Sequence, residues 1–121
     1  MFQASADESG RILTVSFSHH MGAEEMLRCL GTMRSLLEKM QPGFVMLTDL
    51  SSLDSMEIEC APHLAEMMEL SNAKGIKAVV RVIPDPRKDI GFQLLSRFHY
   101  DKSVEVKTFD NLAAAIESLA G

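Results

Sequence analysis

The sequence predicts an α/β fold with a mixed sheet, in the order β-β-α-β-α-β-α-β-α. Short apolar stretches rich in Val, Ile and Leu alternate along the chain with stretches whose apolar residues recur at helical spacing. Pro and Gly mark several of the boundaries between them. Strands that alternate with helices favour parallel pairing through right-handed crossovers. We therefore expect a sheet that is parallel except for an N-terminal hairpin strand.

The first elements are a hairpin and a helix. FQASA and RILTVSF flank the turn DESG, whose Gly10 can adopt the positive φ of a tight turn. In the second strand Leu13, Val15 and Phe17 alternate with polar residues, as in a half-buried strand. The next stretch, AEEMLRCLGTMRSLLEKMQ, predicts a helix that ends at Pro42-Gly43. Its predicted inner face consists of Met26, Leu27, Leu30, Met33, Leu37 and Met40.

Two central strands and a helix follow. FVMLTDL, residues 44–50, is apolar without alternation, as expected of a strand covered on both faces. IKAVVRVIP predicts a second such strand at 76–83, which Pro84 stops. Between them a helix is predicted over residues 60–74, and its inner face is assigned to Leu64, Ala65 and Met68.

The last third of the chain predicts two helices around an edge strand. Asp89 is placed to cap a short helix that carries Leu94, Leu95 and Phe98. VEVKTF, at 104–109, alternates in polarity as an edge strand does. Asp110 is then expected to cap a final helix with an inner face of Leu112, Ile116 and Leu119.

Size and composition limit the possible functions. The chain has 121 residues, which fits one domain spanning 1–121, and its net charge of −5 disfavours nucleic acid as a partner. No leader-type start and no run of ~18 apolar residues is present, so no membrane span is predicted. Cys29 and Cys60 lie far apart without metal-type spacing. We expect buried free thiols and a reducing, cytoplasmic location.

Three stretches together resemble the STAS domain, the fold of anti-sigma-factor antagonists and their SpoIIAA-like relatives. FVMLTDLSSLDSMEIECAPHLAEMMELSNAKGIKAVVRVI looks like the family's strand, Asp-Leu-Ser turn, helix and strand. PDPRKDIGFQLLSRFHY is similar to the proline and short helix that follow, and VEVKTFDNLAAAIESL to the closing strand and helix. The resemblance implies a SpoIIAA-like, non-enzymatic module that regulates through a protein partner.

The family's phosphorylation switch does not match a serine in this chain. In signalling members a DSSG-like motif begins the second helix, and a partner kinase phosphorylates its second serine. Counting from Asp49 puts Glu59 at that position, whereas aligning Asp54-Ser55 with the motif puts Met56 there. Glu57 and Glu59 either mimic the phosphate permanently or only favour a helical first turn, where the dipole attracts anions.

The serine-rich turn at 49–59 and the helix after it form the predicted partner surface. Met67 and Leu70 are expected to be exposed beside Glu59, Glu66 and Glu69, because other residues fill the inner stripe. Such a patch suits a homodimer or a basic protein partner. The residues predicted to bind the partner are Asp49, Ser51, Ser52, Asp54, Ser55, Glu57, Glu59, His63, Met67 and Leu70.

No catalytic, metal or cofactor site is predicted. Ser51 or Ser52 with Asp49 and a histidine has the composition of a triad, but the chain lacks G-x-S-x-G. His19 and His20 are adjacent, so on a regular strand they would point to opposite faces. HExxH, GxGxxG and GxxxxGK[ST] are also missing. Because methionines line adaptable surfaces, a small apolar or lipid ligand held among the Met-rich helices stays open as the alternative function.

Overall fold

Five strands form one mixed sheet in the order β1-β2-β3-β4-β5. They are Phe2–Ala6 (β1), Ile12–Met21 (β2), Val45–Met56 (β3), Ala78–Val82 (β4) and Glu105–Phe109 (β5). β1 is antiparallel to β2, and all other neighbours are parallel, which confirms the predicted topology. The computed structural model describes residues 1–85, 87 and 91–120, without the side chains of residues 92–94.

Four α-helices connect the strands in the described part of the chain. They span Ala23–Leu37 (α1), Ala61–Lys74 (α2), Phe92–His99 (α3) and Leu112–Leu119 (α4), and a short 3₁₀ helix, Ile58–Cys60, precedes α2. Pro62 lies in the first turn of α2, where its missing N–H costs nothing. Gly75 ends that helix with a φ of 95°, a conformation that glycine adopts without strain.

The caps of the last two helices differ from their predictions. The N-cap of α4 is Asn111, whose side chain accepts a hydrogen bond from Ala114 N at 2.8 Å. Asp110, the predicted cap, lies one residue too early and instead accepts a bond from the Asn111 amide at 2.8 Å. The N-cap of α3 is Gly91, and the predicted cap Asp89 lies outside the described residues.

The sheet separates two apolar clusters. The larger one holds Leu13, Val15 and Phe17 of β2 together with the inner faces of α1 and α2 and part of α3. The smaller one packs Ala115 of α4 against Leu47, Val80 and Val82 on the other face. Burial on both faces explains why the sequence of β4 is apolar almost throughout.

Four apolar side chains assigned to helix faces lie in solvent. Leu27 is 54% exposed, because it projects about 100° away from Met26 around the helix. On α4, small Ala115 makes the buried contact, so its larger neighbours lie to the side of the sheet contact. The predictions of inward packing are therefore wrong for Leu27, Leu112 and Ile116, and Phe98 of α3 is exposed as well.

Arg81 is a buried cation at the centre of β4. The residue is 2% exposed, and its Nη2 donates to Ser96 Oγ of α3 at 2.5 Å. Asp101 N donates to Asn72 Oδ1 at 3.1 Å, which joins the end of α3 to α2. Tyr100, beside Arg81, has its pKa raised to about 12 by burial, although the charge of Arg81 opposes this shift. These contacts fix α3 against the sheet and α2.

Alkaline pH is expected to lower the stability of the protein through its buried thiols. Burial and the charge of Glu25 raise the pKa of Cys29 from 9.0 to about 12, and burial raises the pKa of Cys60. A raised pKa stabilises the fold fully below the unfolded value near 9, and this contribution is lost as pH rises towards the folded value. We expect the ionisation of Cys29 alone to lower the free energy of unfolding by about 1 kcal/mol between pH 9 and pH 10.

Urea unfolding at pH 7, 8, 9 and 10 measures this loss. Cys29→Ala removes one of the ionising groups, so its unfolding free energy should fall less steeply above pH 9 than that of the unchanged protein. Equal alkaline slopes for the two proteins would contradict the assignment of the effect to Cys29.

Candidate functional site

The carboxyl end of the sheet carries an arm made of two strands. β4 pairs with β3 only as far as Asp49, opposite Val82. β3 then continues to Met56 and pairs with Ser18 to Met21 of β2. The sequence predicts a turn after Leu50, and this prediction is wrong. Leu53 is fully buried and fastens the polar stretch to the core as a strand.

Two histidines lie in a distorted part of this arm. The pairing of β2 with β3 changes register between His19 and His20, and His19 has a φ of 59°. His19 Nδ1 lies 3.9 Å from Asp54 Oδ2, and His20 Nδ1 lies 2.7 Å from Ser55 Oγ. Both imidazoles are exposed. The distortion therefore places two histidines and an acid in solvent at one end of the sheet.

Glu57 connects the arm to the start of α1. The N-cap of α1 is Gly22, which has no side chain to accept a hydrogen bond. Glu57 Oε1 accepts the bond from Ala23 N at 2.9 Å instead, and a Cβ on Gly22 would lie 3.2 Å from that oxygen. The carboxylate also places negative charge at the positive end of the α1 dipole. Glu57 therefore serves α1, whereas the sequence suggested a role in the first turn of the next helix.

An apolar groove opens beside the 3₁₀ helix. Its volume is about 330 Å³, and it is bounded by the end of β3, the start of α2 and the start of α3. Ile58 lies on it with 82% of its surface exposed, between Glu57 and the exposed Glu59. The described residues that line the groove are Met56, Glu57, Ile58, Ala61, Leu64, Gly91 and Leu95.

Met67 does not belong to any exposed patch. It is 4% exposed and lines a small cavity under α2 with Phe17 and Arg81. The buried face of α2 is Leu64, Met67, Met68 and Ser71, whereas Ala65 is only half-buried. Ser71 can be buried because its hydroxyl donates to Met67 O at 2.8 Å. Because serine is usually exposed, the position of Ser71 on the buried face of α2 could not be recognised from the sequence. The prediction that Met67 is exposed is therefore wrong.

The other predicted residues of α2 point elsewhere. Leu70 is half-buried, as expected, but it lines a separate groove with Leu37 and Lys74 near the ends of α1 and α2. Glu66 forms an ion pair with Arg34 of α1. Glu69 Oε1 lies 3.3 Å from His99 Nδ1 of α3. Two of the three glutamates of the predicted acidic rim, Glu66 and Glu69, are thus used in contacts between helices.

Asp49 anchors its own strand locally. Its Oδ1 accepts Ser51 N at 2.9 Å and also accepts the Ser51 hydroxyl. Asp49 and Ser52 line a shallow polar depression with Gln3, Ser16 and Ser18. His63 is half-buried in the first turn of α2. Of the predicted residues, Glu57 lines the apolar groove, whereas Asp49 and Ser52 line the polar depression. Asp54 and Ser55 contact His19 and His20 on the arm.

The Ser55, His20 and Glu57 side chains have the order of a hydrolase triad without its geometry. Ser55 Oγ contacts His20, but His20 Nε2 lies 3.6 Å from Glu57 Oε2, beyond hydrogen-bond length. The other oxygen of Glu57 is bound to the α1 backbone. The carboxylate therefore does not orient the imidazole as a general base requires. This arrangement supports surface recognition better than acyl transfer.

The described residues offer neither a metal-type cluster nor a membrane-spanning helix. Among the described side chains, no group of three or more His, Cys, Asp or Glu is arranged to hold a metal ion. None of the described helices combines the length and apolar character needed to cross a bilayer.

Sequence reasoning missed Ile58, Met56 and Leu95 as surface candidates. One signal was available, because Ile58 is an apolar residue between two glutamates in a segment predicted to be a turn. No sequence pattern indicates that α3 would bring Leu95 to the same groove, since that contact depends on tertiary packing.

Comparison with solved structures identifies the fold. An uncharacterized DUF3478-family protein with a SpoIIAA-like fold from Shewanella loihica superposes with a TM-score of 0.72 at 18% identity, over 98% of this chain and 93% of that one. The anti-sigma factor antagonist SpoIIAA in its unphosphorylated form gives 0.67 at 13% identity, over 100% and 99%. An anti-sigma factor antagonist from Mycobacterium paratuberculosis gives 0.62 at 16%, over 100% and 96%. The chain therefore has the SpoIIAA-like fold.

The likeness lies in structure and not in close sequence relationship. No protein-family model matches the chain, and no curated protein matches it. At identities this low the shared fold does not transfer an activity. The function has to be argued from the site itself.

Replacing Glu57 tests its role at α1. Glu57→Ala removes the acceptor for Ala23 N–H and should lower the free energy of unfolding by about 0.5–2 kcal/mol, as loss of a helix cap does. Glu57→Gln keeps an oxygen acceptor and should recover most of that loss. Chemical unfolding monitored by circular dichroism measures both.

Glu59→Ala is the matched control, because this exposed glutamate lies two residues away on the same segment. We expect it to change stability by less than about 0.5 kcal/mol. Equal costs for Glu57→Ala and Glu59→Ala would show that Glu57 does not cap α1.

Proposed function

We propose that this chain is a non-enzymatic interaction module, one domain over residues 1–121, that docks a protein partner at the apolar groove beside Ile58. The observation that carries the proposal is the 82% exposure of Ile58. A large aliphatic side chain that stands in solvent beside an apolar groove favours burial by a partner. Isolated exposed apolar residues are common, but this one continues an apolar lining.

The docking segment is held in place before any partner arrives. Glu57 N donates to Met21 O at 2.9 Å, and Cys60 Sγ lies 3.6 Å from the same oxygen. Cys60 N donates to Glu57 O at 3.0 Å, which closes the 3₁₀ turn. A surface that is already ordered pays less conformational entropy on binding. These bonds therefore favour recognition by a preformed surface.

Charge favours a basic partner. Asp54, Glu57 and Glu59 belong to the segment that borders the groove, and Lys and Arg do not occur between Lys39 and Lys74. Positive side chains of a partner would be steered towards this side. We propose that Asp54, Ser55, Glu57, Glu59 and His63 form the rim of the docking surface, whereas buried Met67 and distant Leu70 are outside it.

Docking at this surface is proposed to be independent of phosphorylation by serine kinases, and the sequence before α2 supports this. Residues 57–60, where the resemblance to signalling proteins places the switch, contain no serine. Glu59 is exposed there and carries a permanent charge in the first turn of the 3₁₀ helix. We further propose a reducing, cytoplasmic location, which suits the free and buried thiols of Cys29 and Cys60.

A small apolar ligand in the same groove is the second candidate function. Its volume of about 330 Å³ lies at the lower end of the range of about 300–1,000 Å³ that is typical of ligand sites. Methionine and leucine in the lining would accommodate a flexible chain. A fatty acid present at 100 times its Kd would add roughly 2.7 kcal/mol of stability. Thermal unfolding with and without fatty acids tests this alternative.

Ile58→Lys should weaken partner binding more than tenfold, because it places a charge where an apolar contact is required. The fold should stay intact, since substitutions of exposed residues usually change stability by less than about 0.5 kcal/mol. The measurement is quantitative affinity capture from the native cell with the unchanged and substituted proteins on parallel supports.

Leu27→Lys is the control, because it adds the same charge at another exposed apolar residue, in α1. Proteins that bind at the groove should be lost from the Ile58→Lys support and kept on the Leu27→Lys support. Equal retention on both would rule out the groove as the docking site.

A further inference from the structure

β1 is an edge strand that lacks the usual features that prevent pairing with another strand. In the described part of the chain β1 pairs with β2 only and ends the sheet. Its sequence, FQASA, has no charge and no proline, which are the usual guards of an exposed edge. The opposite edge, β5, carries Glu105 and Lys107. The two ends of the sheet therefore differ in how readily another strand could add to them.

The backbone groups that face outward on β1 follow from its pairing. Met1 and Ser18 exchange hydrogen bonds, since Ser18 N donates to Met1 O at 2.8 Å and Met1 N to Ser18 O at 3.1 Å. Asp7 N donates to Ile12 O at 3.0 Å. In an antiparallel pair such residues alternate. Odd-numbered residues of β1 thus bond to β2, and the N–H and C=O groups of Phe2, Ala4 and Ala6 point away from it.

This edge is complementary to itself. If two copies of β1 run antiparallel about a twofold axis at Ala4, Phe2 lies opposite Ala6 of the other copy, and Ala4 opposite Ala4. These are the residues whose backbone groups point outward, so every pair can exchange hydrogen bonds. The large Phe2 ring also meets a small alanine. Gln3 then lies opposite Ser5, and both are polar and exposed.

We propose that β1 pairs with β1 of a second copy of this chain, which joins the two sheets into one across a twofold axis at Ala4. A C₂ interface of this kind is the commonest arrangement of homo-oligomers. The apolar side of the strand supports it. Phe2, Ala4 and Ala6 are half-buried and pack against the main core together with Leu36 of α1. A second copy would extend this packing and cover the exposed part of these three side chains.

α1 packs next to β1. Glu25 of α1 binds the Met1 amino group at 2.9 Å, which places the start of α1 over β1. Arg34, on another face of α1, pairs with Glu66 of α2. The flank of α1 that packs on the same core carries Leu36, which is half-buried. Two such flanks would meet above the joined strands and enlarge the contact.

The size of the interface predicts weak association. One strand of five residues and a helix flank bury less than the roughly 1,200 Å² that marks stable protein–protein interfaces. We therefore expect dimers that form with rising concentration, between about 10 µM and 1 mM. Sedimentation equilibrium over this range, with any purification tag at the C-terminus, measures the association constant.

Charge substitutions on the exposed face test the register. Gln3→Lys with Ser5→Lys places ammonium groups opposite each other across the axis, and the association constant should fall at least tenfold. Gln3→Lys with Ser5→Glu places each ammonium opposite a carboxylate, so association should return to within about threefold of the unchanged protein. Both variants carry Gln3→Lys, and both altered positions are exposed. The two variants should therefore have similar stability.

Two results would overturn the proposal. One is a protein that stays monomeric up to about 1 mM, which would mean that the edge does not pair with itself. The other is equal association of the two charge variants, which would place any dimer contact elsewhere or in another register.

A cross-linking experiment gives an independent answer. In the proposed register Gln3 and Ser5 of the other copy form a non-hydrogen-bonded pair with Cα atoms about 4.5 Å apart, within disulfide range. A mixture of Gln3→Cys and Ser5→Cys chains should form the mixed dimer several times faster than either chain forms its own dimer. The natural thiols are buried and do not compete. Equal rates in all three samples would contradict the register.

Discussion

The pairing of β2 with β3 beyond Asp49 supports the whole carboxyl end of this molecule. Past that residue β3 has lost β4 and keeps β2 as its neighbour in the described structure. A two-stranded ribbon is marginally stable in water by itself. Here buried Leu53 and Met21 fix it to the core, and Glu57 at its end binds the first turn of α1. The ribbon, the 3₁₀ helix and the start of α1 therefore form one connected unit.

This unit explains why an apolar residue can stand in solvent at Ile58. The backbone on both sides of it is fixed, since Glu57 N and Cys60 Sγ both reach Met21 O. α3 closes the other side of the groove, and its position depends on Arg81, whose guanidinium is bound to Ser96 inside the protein. A buried arginine is costly to desolvate unless it is well bonded. The surface at the groove is thus supported from two independent parts of the core.

The order and direction of the strands could be predicted from the sequence, because hydrophobic period and the Pro and Gly boundaries are local signals. The end of β3 could not, since a serine-rich stretch reads as a turn and only its pairing with β2 makes it a strand. The buried face of α2 was predicted wrongly because it includes Ser71, a polar residue. Ser71 can be buried since its hydroxyl bonds to a carbonyl of the same helix. The cap of α1 is supplied by Glu57, 34 residues away, and no local pattern encodes such a contact.

The groove beside Ile58 and the edge of β1 share no residue, so a partner and a second copy could be bound together. Both surfaces require ordered backbone, at the end of β3 for the groove and along β1 for the edge. The groove is preformed only if residues 51–56 form a strand and not a flexible loop. Amide hydrogen exchange followed residue by residue tests it directly. We expect the amides of this segment that bond to β2 to exchange at least 100-fold more slowly than an unstructured peptide, about 2.7 kcal/mol of local stability. Exchange of the whole segment at the rate of an unstructured chain would contradict the account.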